Sequence, residues 1–247
     1  MSKELKVAKE TILEAGKLIL KDFNSNIKQQ KKGNDDIFTI SDKKSENLII
    51  KRLTKKFPQY GIISEESKPI IKEINWVIDP IDGTFNFSRG IPFFGINIAL
   101  INKKEPLLGI SYDPLHKELF WGEKNKNAFY NNKIMEVSKV NNLNLAIIDS
   151  STEFINQFPN SKTVRRFGCT ALGLPYLARG NIDAKVFNSS HYIWDWVAGF
   201  LMIEEAGGKI TDLEGNKWSF NSKNFIASNG ILHSKLLNLL RSKPKTI

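Results

Sequence analysis

Trp76-Val77-Ile78-Asp79-Pro80-Ile81-Asp82-Gly83-Thr84-Phe85-Asn86-Phe87 is the stretch on which the reading of this chain turns. An apolar run ends on Asp79, as a buried strand running into a loop would. Pro80 has no N–H, so it is expected to stop the ladder there. A turn then brings Asp82 close to Asp79, Gly83 permits a sharp backbone path, and Thr84 can begin a helical turn. Two carboxylates at i and i+3 can share one divalent cation, with the carbonyl between them pointing at it. The N–H groups of Gly83 and Thr84 would then head a helix, where anions bind. Carboxylates, a carbonyl and an adjacent phosphate site suit Mg²⁺. Taken alone, the same stretch also reads as a turn whose Asp is an Asx cap, the commoner use of such residues.

Three other acidic positions change that weighting. Glu65-Glu66 follows the strand-like Gly61-Ile-Ile-Ser64, where side chains project from a sheet edge, although a solvated loop is the default reading. Asp195 opens an apolar helix carrying Val197, Ala198, Leu201 and Met202. An N-cap is the common role for Asp at such a place, yet Trp194 and Trp196 are unusually apolar neighbours for one. Asp42 opens an earlier helix and reads equally well as a cap.

Around these positions the chain alternates between patterns. Leu5, Ala8, Ile12, Ala15, Ile19 and Phe23 form one helical stripe. Asn24 to Asp36, Lys-rich with Gly33 inside it, reads as a loop. A second helix is expected from Ser41 or Asp42, ended by Pro58, followed by short strands at Tyr60–Ser64 and Trp76–Ile78. Phe94 to Phe129 reads as an antiparallel meander. After Val140 strands and helices alternate: a strand at Ala146–Asp149, a helix at Thr170–Ala178, a strand at Ala184–Phe187, a helix at Trp194–Ala206 closed by Gly207-Gly208, further strands, and a last helix through Leu240. The expectation is an α+β N-terminal subdomain over residues 1–139, carrying most of the candidate metal ligands. An α/β C-terminal subdomain over 140–247 would complete the site.

Composition bounds the function classes. The 247 residues are 41% hydrophobic and 25% charged, which excludes disorder, collagen and coiled coil. The single cysteine, Cys169, excludes a disulfide framework, and three scattered histidines disfavour a His-based metal centre. The net charge of +10 suits a polyanion partner or the attraction of anionic substrates. Met1–Lys9 carries charges of both signs with no apolar run behind it, so neither a signal peptide nor a membrane span is expected, and a cytoplasmic location is.

Asp79-Pro-Ile-Asp-Gly-Thr-Phe-Asn-Phe resembles the first signature of the inositol monophosphatase family, and Trp194-Asp-Trp-Val-Ala-Gly-Phe-Leu-Met-Ile-Glu-Glu-Ala-Gly-Gly its second. Ile63-Ser-Glu-Glu-Ser resembles the acidic strand end that precedes them, in the family's order and spacing. The resemblance implies a layered αβαβα sandwich, antiparallel in its first sheet and mixed in its second, and a Mg²⁺-dependent phosphomonoesterase using two to three ions. By the same resemblance, Glu65, Asp79 and the carbonyl of Ile81 hold the first metal, Asp79, Asp82 and Asp195 the second, and a third lies near Glu65. Thr84, paired with Asp42, orients the attacking water, and Gly83 and Thr84 bind phosphate oxygens. Gly168, Cys169, Thr170 and Asn188 would line the substrate pocket, and a homodimer is expected. Hydrolysis of a phosphate monoester dianion needs charge neutralisation and positioning more than covalent chemistry, and carboxylates with metal supply both.

The chain departs from the family pattern in three places. Ser64 replaces the usual Gly before the Glu pair, and Gly168-Cys169-Thr170 replaces a Gly, a small hydroxyl residue and Ala. Seven residues before Asp195, where inositol phosphatases carry a hydroxyl-gripping Glu, stands Asn188, with Phe187 before it and one apparent extra residue. The substrate is therefore read as inositol-1-phosphate or a related polyol or sugar phosphate. Fructose-1,6-bisphosphate, 3′-phosphoadenosine 5′-phosphate and histidinol phosphate are the alternatives. Arg165 and Arg166 could bind a second phosphate, though solvation is the simpler reading. An RNA-binding regulatory protein is the competing class. It is disfavoured because the basic residues are scattered lysines without interleaved aromatics.

Overall fold

The computed structural model describes residues 1–23, 25, 29–32, 36–188 and 192–242. Its elements are α1 (Lys3–Asp22), β1 (Gln29–Lys32), β2 (Asp36–Thr39), α2 (Ile40–Lys56), β3 (Gly61–Ser64), β4 (Ile74–Asp82), α3 (Thr84–Ser88), β5 (Gly95–Asn102), β6 (Glu105–Asp113), β7 (Glu118–Glu123), β8 (Ala128–Tyr130) and β9 (Lys133–Ile134). The second half adds β10 (Ile147–Ser150), β11 (Thr163–Arg165), α4 (Thr170–Ala178), β12 (Ala184–Asn188), α5 (Ile193–Glu205), β13 (Lys209–Thr211), β14 (Asn224–Ser228) and α6 (His233–Ser242).

A seven-stranded sheet runs β3-β4-β5-β6-β7-β8-β9, and a five-stranded sheet runs β11-β10-β12-β14-β13. In the first, β3 is parallel to β4 and every other pair is antiparallel. In the second, β10 is parallel to both β11 and β12, and β14 is antiparallel to β12 and β13. Three apolar clusters bind the layers together. Leu5, Ile12 and Ile19 of α1 and Ile49 and Leu53 of α2 pack on one face of the first sheet, against Trp76, Ile78, Ile96 and Ile98. Each such fully buried side chain contributes about 2 kcal/mol. The opposite face, Val77, Ala99 and Phe120, packs on α4 and α5, which also meet Phe187, Phe225 and Ala227 of the second sheet. Leu232, Leu236 and Leu237 close the outer face of that sheet over Ile148, Val186 and Ile226. This is the expected αβαβα order. The first sheet uses only residues from β3 to β9 and the second only residues from β10 to β14, while the helical layer between them belongs to the second half.

Two expectations change. The segment read as a loop from Asn24 to Asp36 contains β1, which pairs antiparallel with β2 from Gln29↔Thr39 to Lys32↔Asp36. Ladder hydrogen bonds, which a polar sequence does not forbid, override its composition; Gly33 lies outside the described residues. Pro80 does not end its strand either. The ladder skips from Asp79↔Asn97 to Asp82↔Gly95, and this irregularity accommodates the missing N–H.

No helix among the described residues is long and apolar enough to cross a membrane.

Candidate active site

Alternation along β4 sends Trp76 and Ile78 toward α1 and α2, and Val77 with Asp79 toward α5. Asp79 is buried, and its Oδ1 accepts the Ile81 N–H at 3.0 Å. Because β3 is parallel to β4 with Ser64 opposite Ile78, the next residue, Glu65, leaves its strand level with Asp79. β3 thus ends where β4 carries Asp79, and two acidic residues come to one place.

Asp195 reaches the same place from the other half of the chain. It is the third residue of α5, not its N-cap. Tyr192 occupies the cap, and its N–H donates back to Asp195 Oδ2 at 2.8 Å. Asn97, opposite Asp79 across the ladder, donates from Nδ2 to the Trp194 carbonyl at 2.6 Å, while the Ser111 hydroxyl donates to Asn97 Oδ1 at 2.7 Å. That polar clip fixes the first turn of α5 on the sheet and brings the Asp195 carboxyl close enough to Asp79 for each to perturb the other.

Gly83 adopts φ +83°, the left-handed region where glycine is favoured. A Cβ there would stand 3.1 Å from Cys169 Cβ and 3.2 Å from the carbonyls of Gly168 and Phe93. This close approach delivers Asp82 to the start of α4, where the Ala171 N–H and the Cys169 thiol donate to its carboxylate. Asn86 ties the same two loops together, donating from Nδ2 to Phe93 O at 2.7 Å and Phe167 O at 2.9 Å. Thr84 Oγ1 lies 3.2 Å from Asp42 Oδ1 and 2.9 Å from the Ile81 carbonyl, so its one proton has two acceptors. Asp42 Oδ2 accepts the Thr39 N–H and hydroxyl at 2.7 and 2.6 Å. Asp42 therefore closes the capping box of α2 and also faces Thr84.

Electrostatics defines what the cluster lacks. Burial, then repulsion from Glu65, Asp82, Asp195 and Asp42, pushes the Asp79 carboxyl well above the ordinary carboxylate range. Burial and repulsion from Asp82 and Glu65 do the same to Asp195. Burial raises Asp82 against the restraint of its Ala171 and Cys169 donors and of Lys185. Asp42 rises to about 6 through burial and Glu66, opposed by the Thr39 hydrogen bonds. The Cys169 thiol is pushed far up by burial and by Asp82, so it is no nucleophile. Such a set can be neutralised by protons or by a hard cation, and an all-oxygen donor set suits the latter. Among the described residues, no three His, Cys, Asp or Glu side chains are already drawn into a metal cage.

Beside Asp82 opens a cavity of about 460 Å³ lined by Phe85, Asp149, Ser150, Glu153, Arg166, Gly168, Cys169, Thr170, Lys185 and Phe187. Of the expected pocket residues, Gly168, Cys169 and Thr170 line it. Asn188 is not among the lining residues, and its Nδ2 donates to Glu153 Oε1 at 2.7 Å. Phe187, buried between the second sheet and α5, is the neighbour that faces the cavity. Arg165 donates to Thr163 Oγ1 at 2.8 Å, while Arg166 reaches the cavity.

Several participants escaped sequence reading. Buried Glu46 accepts from the Ser64 hydroxyl, from the Glu66 N–H at 3.0 Å and from Ser67 Oγ at 2.6 Å, which fixes the loop bearing Glu65. Its signal was present: it lies four residues beyond Asp42, on the same face of α2. Ser64, read only as a departure from Gly, supplies one of those donors. Asn97, Asp149 and Lys185 each interrupt an otherwise apolar run of their strand, which is the signal of a buried polar partner.

The chain belongs to the inositol monophosphatase family, whose model matches residues 1–245. It is thereby placed among phosphoric monoester hydrolases. It is 35% identical over 257 residues to an inositol-1-monophosphatase of Caulobacter vibrioides, covering 94% of this chain and 99% of that one. It is 32% identical over 219 residues to a fructose-1,6-bisphosphatase/inositol-1-monophosphatase of Thermotoga maritima, covering 86% and 85% of the two chains. In structure it is similar to the extragenic suppressor protein SuhB of Bartonella henselae, with TM-score 0.94 and 33% identity over 98% of this chain and 100% of that one.

Proposed function

We propose that this protein is a Mg²⁺-dependent phosphatase of small polyol or sugar monophosphates. The observation that carries the reading is the convergence of Asp79, Asp82 and Asp195 beside the Thr84–Asp42 pair, with a polar cavity opening at Asp82. In this reading Glu65, Asp79 and the Ile81 carbonyl hold one Mg²⁺, and Asp79, Asp82 and Asp195 hold another. Bound there, the ions would neutralise phosphoryl charge and acidify water.

The chain's own groups do the rest. Thr84 Oγ1, whose proton is directed to Asp42 or to the Ile81 carbonyl, presents a lone pair that accepts from and orients the attacking water. Asp42, with a pKa of about 6, is poised to hold a proton through Thr84 near neutral pH. The Gly83 and Thr84 N–H groups, heading α3, donate to phosphate oxygens. Phe85, Phe167 and Phe187 line the cavity with apolar surface beside the reacting phosphate. A bisphosphate is the second reading, supported by Arg166 on the same cavity. The test is phosphate release from a panel of phosphorylated metabolites with Mg²⁺ or with EDTA. Turnover of polyol monophosphates only with Mg²⁺ is expected, and full turnover in excess EDTA overturns the reading.

A further inference from the structure

Asp149 and Lys185 are directly opposite each other on the parallel strands β10 and β12, and both are buried. Lys185 Nζ donates to Asp149 Oδ2. Both residues line the cavity that opens at Asp82. The pair is accommodated by α4: a Cβ on Gly173 would stand 2.7 Å from Asp149 Oδ2 and 3.4 Å from Lys185 Nζ. Nothing in the architecture requires a charge pair here. Phe187, on the same strand and the same face as Lys185, sits in an apolar layer, and apolar residues of similar volume commonly do as well as a buried ion pair.

The pair is incompletely satisfied by protein. An ammonium has three N–H donors, and among the described residues Lys185 gives one, to Asp149. Asp149 accepts that donor and, through Oδ1, the Phe167 N–H at 3.3 Å, which leaves acceptor capacity on a carboxylate. Spare donors and spare acceptors therefore stand side by side, with net charge near zero, on the wall of the cavity into which Asp82 opens. Hydroxyl groups both donate and accept, so adjacent hydroxyls match such a wall. A second phosphate would use only the donors and would meet the Asp149 carboxylate as a repelling neighbour.

The geometry points to the Lys185–Asp149 pair as the element that recognises hydroxyl groups of the substrate. Phe187, the other residue of β12 lining this cavity, offers apolar surface only. This role of the pair deepens the phosphatase reading and rests on it: the phosphoryl group lies at Asp82 to Thr84, and the polyol lies against the pair.

The experiment compares kcat/KM for inositol 1-phosphate and for phenyl phosphate, which has no hydroxyls, in the wild type and in Lys185→Gln/Asp149→Asn. The double substitution keeps a hydrogen-bonded pair of similar volume and avoids leaving one buried charge alone. Lys185 also restrains the Asp82 carboxyl, so the change can act on the reaction itself, but that effect is common to both esters and cancels in their ratio. The expected result is a fall of about 10- to 100-fold in the preference for inositol 1-phosphate, the loss of charged hydrogen bonds to the substrate. If the double variant does not fold, Gly173→Ala replaces it, because its Cβ displaces the pair, and the same fall in preference is expected. An unchanged preference in a folded variant, or an equal loss toward both esters, overturns the proposal and leaves the phosphatase reading standing. A folded wild type with no Mg²⁺-dependent turnover of either ester overturns both.

Discussion

Two charged regions border the same cavity and solve burial in opposite ways. At the end of the first sheet, Asp42, Glu65, Asp79, Asp82 and Asp195 press like charges together, and the carboxyls of Asp42, Asp79, Asp82 and Asp195 are driven toward the protonated form. On the inner face of the second sheet, Asp149 meets a lysine on the neighbouring strand. The first arrangement is stable as anions only if something enters from outside. The second brings its own counterion and can be buried in a layer that stays intact between turnovers. Burial of a charge is thus not by itself a sign of a metal site; the sign is burial among like charges.

Removing one charge from the acidic cluster should produce the largest effect. Asp82→Asn is expected to lower kcat/KM by about 10⁴-fold, a barrier increase of about 5.5 kcal/mol. Unfolding by urea without Mg²⁺ should show stability equal to or above the wild type, because one repelling charge is gone. A folded Asp82→Asn protein with near-normal turnover would put the chemistry elsewhere. Asp195→Asn should lose activity comparably, although Asn can still accept the Tyr192 N–H as the helix start requires.

The second region should respond the other way. Lys185→Met strands the Asp149 carboxylate in the interior, and a stability loss of about 3–5 kcal/mol in urea unfolding is expected whether or not Mg²⁺ is present. If this variant were as stable as the wild type, the contrast between the two regions would fail.

The pH dependence sharpens the difference. Asp42 has its pKa raised to about 6, so the fold favours its protonated form. That contribution is fully present below about pH 4, the unfolded value, and is lost as the pH rises through about 6. It amounts to about 3 kcal/mol for a shift of this size, and Asp79 and Asp195 act in the same direction. Metal-free protein should therefore lose stability from pH 4 to 7, and the rise in Tm on adding Mg²⁺ should be larger at pH 7.5 than at pH 5. An equal Mg²⁺ increment at both pH values would show that the carboxylates are not what the ion relieves.

The smallest effect is expected at the loop that presents Glu65. Ser64→Gly removes one of three donors to Glu46, whose other two partners remain. A loss of about 1 kcal/mol, with kcat/KM within a few-fold of the wild type, should be seen by urea unfolding and steady-state assay.

The sequence by itself determined what acts over a few residues. The stripe of α1, the alternation of β4, the approach of Asp79 and Asp82 around Pro80 and the helical turn at Thr84 are all set by periodicity, proline and glycine within one or two turns of chain. The family signatures added the partners that those rules cannot reach. Only the tertiary structure decided how the pieces meet. Parallel pairing sets Glu65 level with Asp79, Asn97 holds the start of α5 on the sheet, and Asn86 draws the Gly168 loop to Gly83. The hairpin of β1 and β2 and the Lys185–Asp149 pair were illegible for the same reason. Strand pairing is a hydrogen-bond match between distant segments, and a lone charge in an apolar strand states that it has a partner without stating which one.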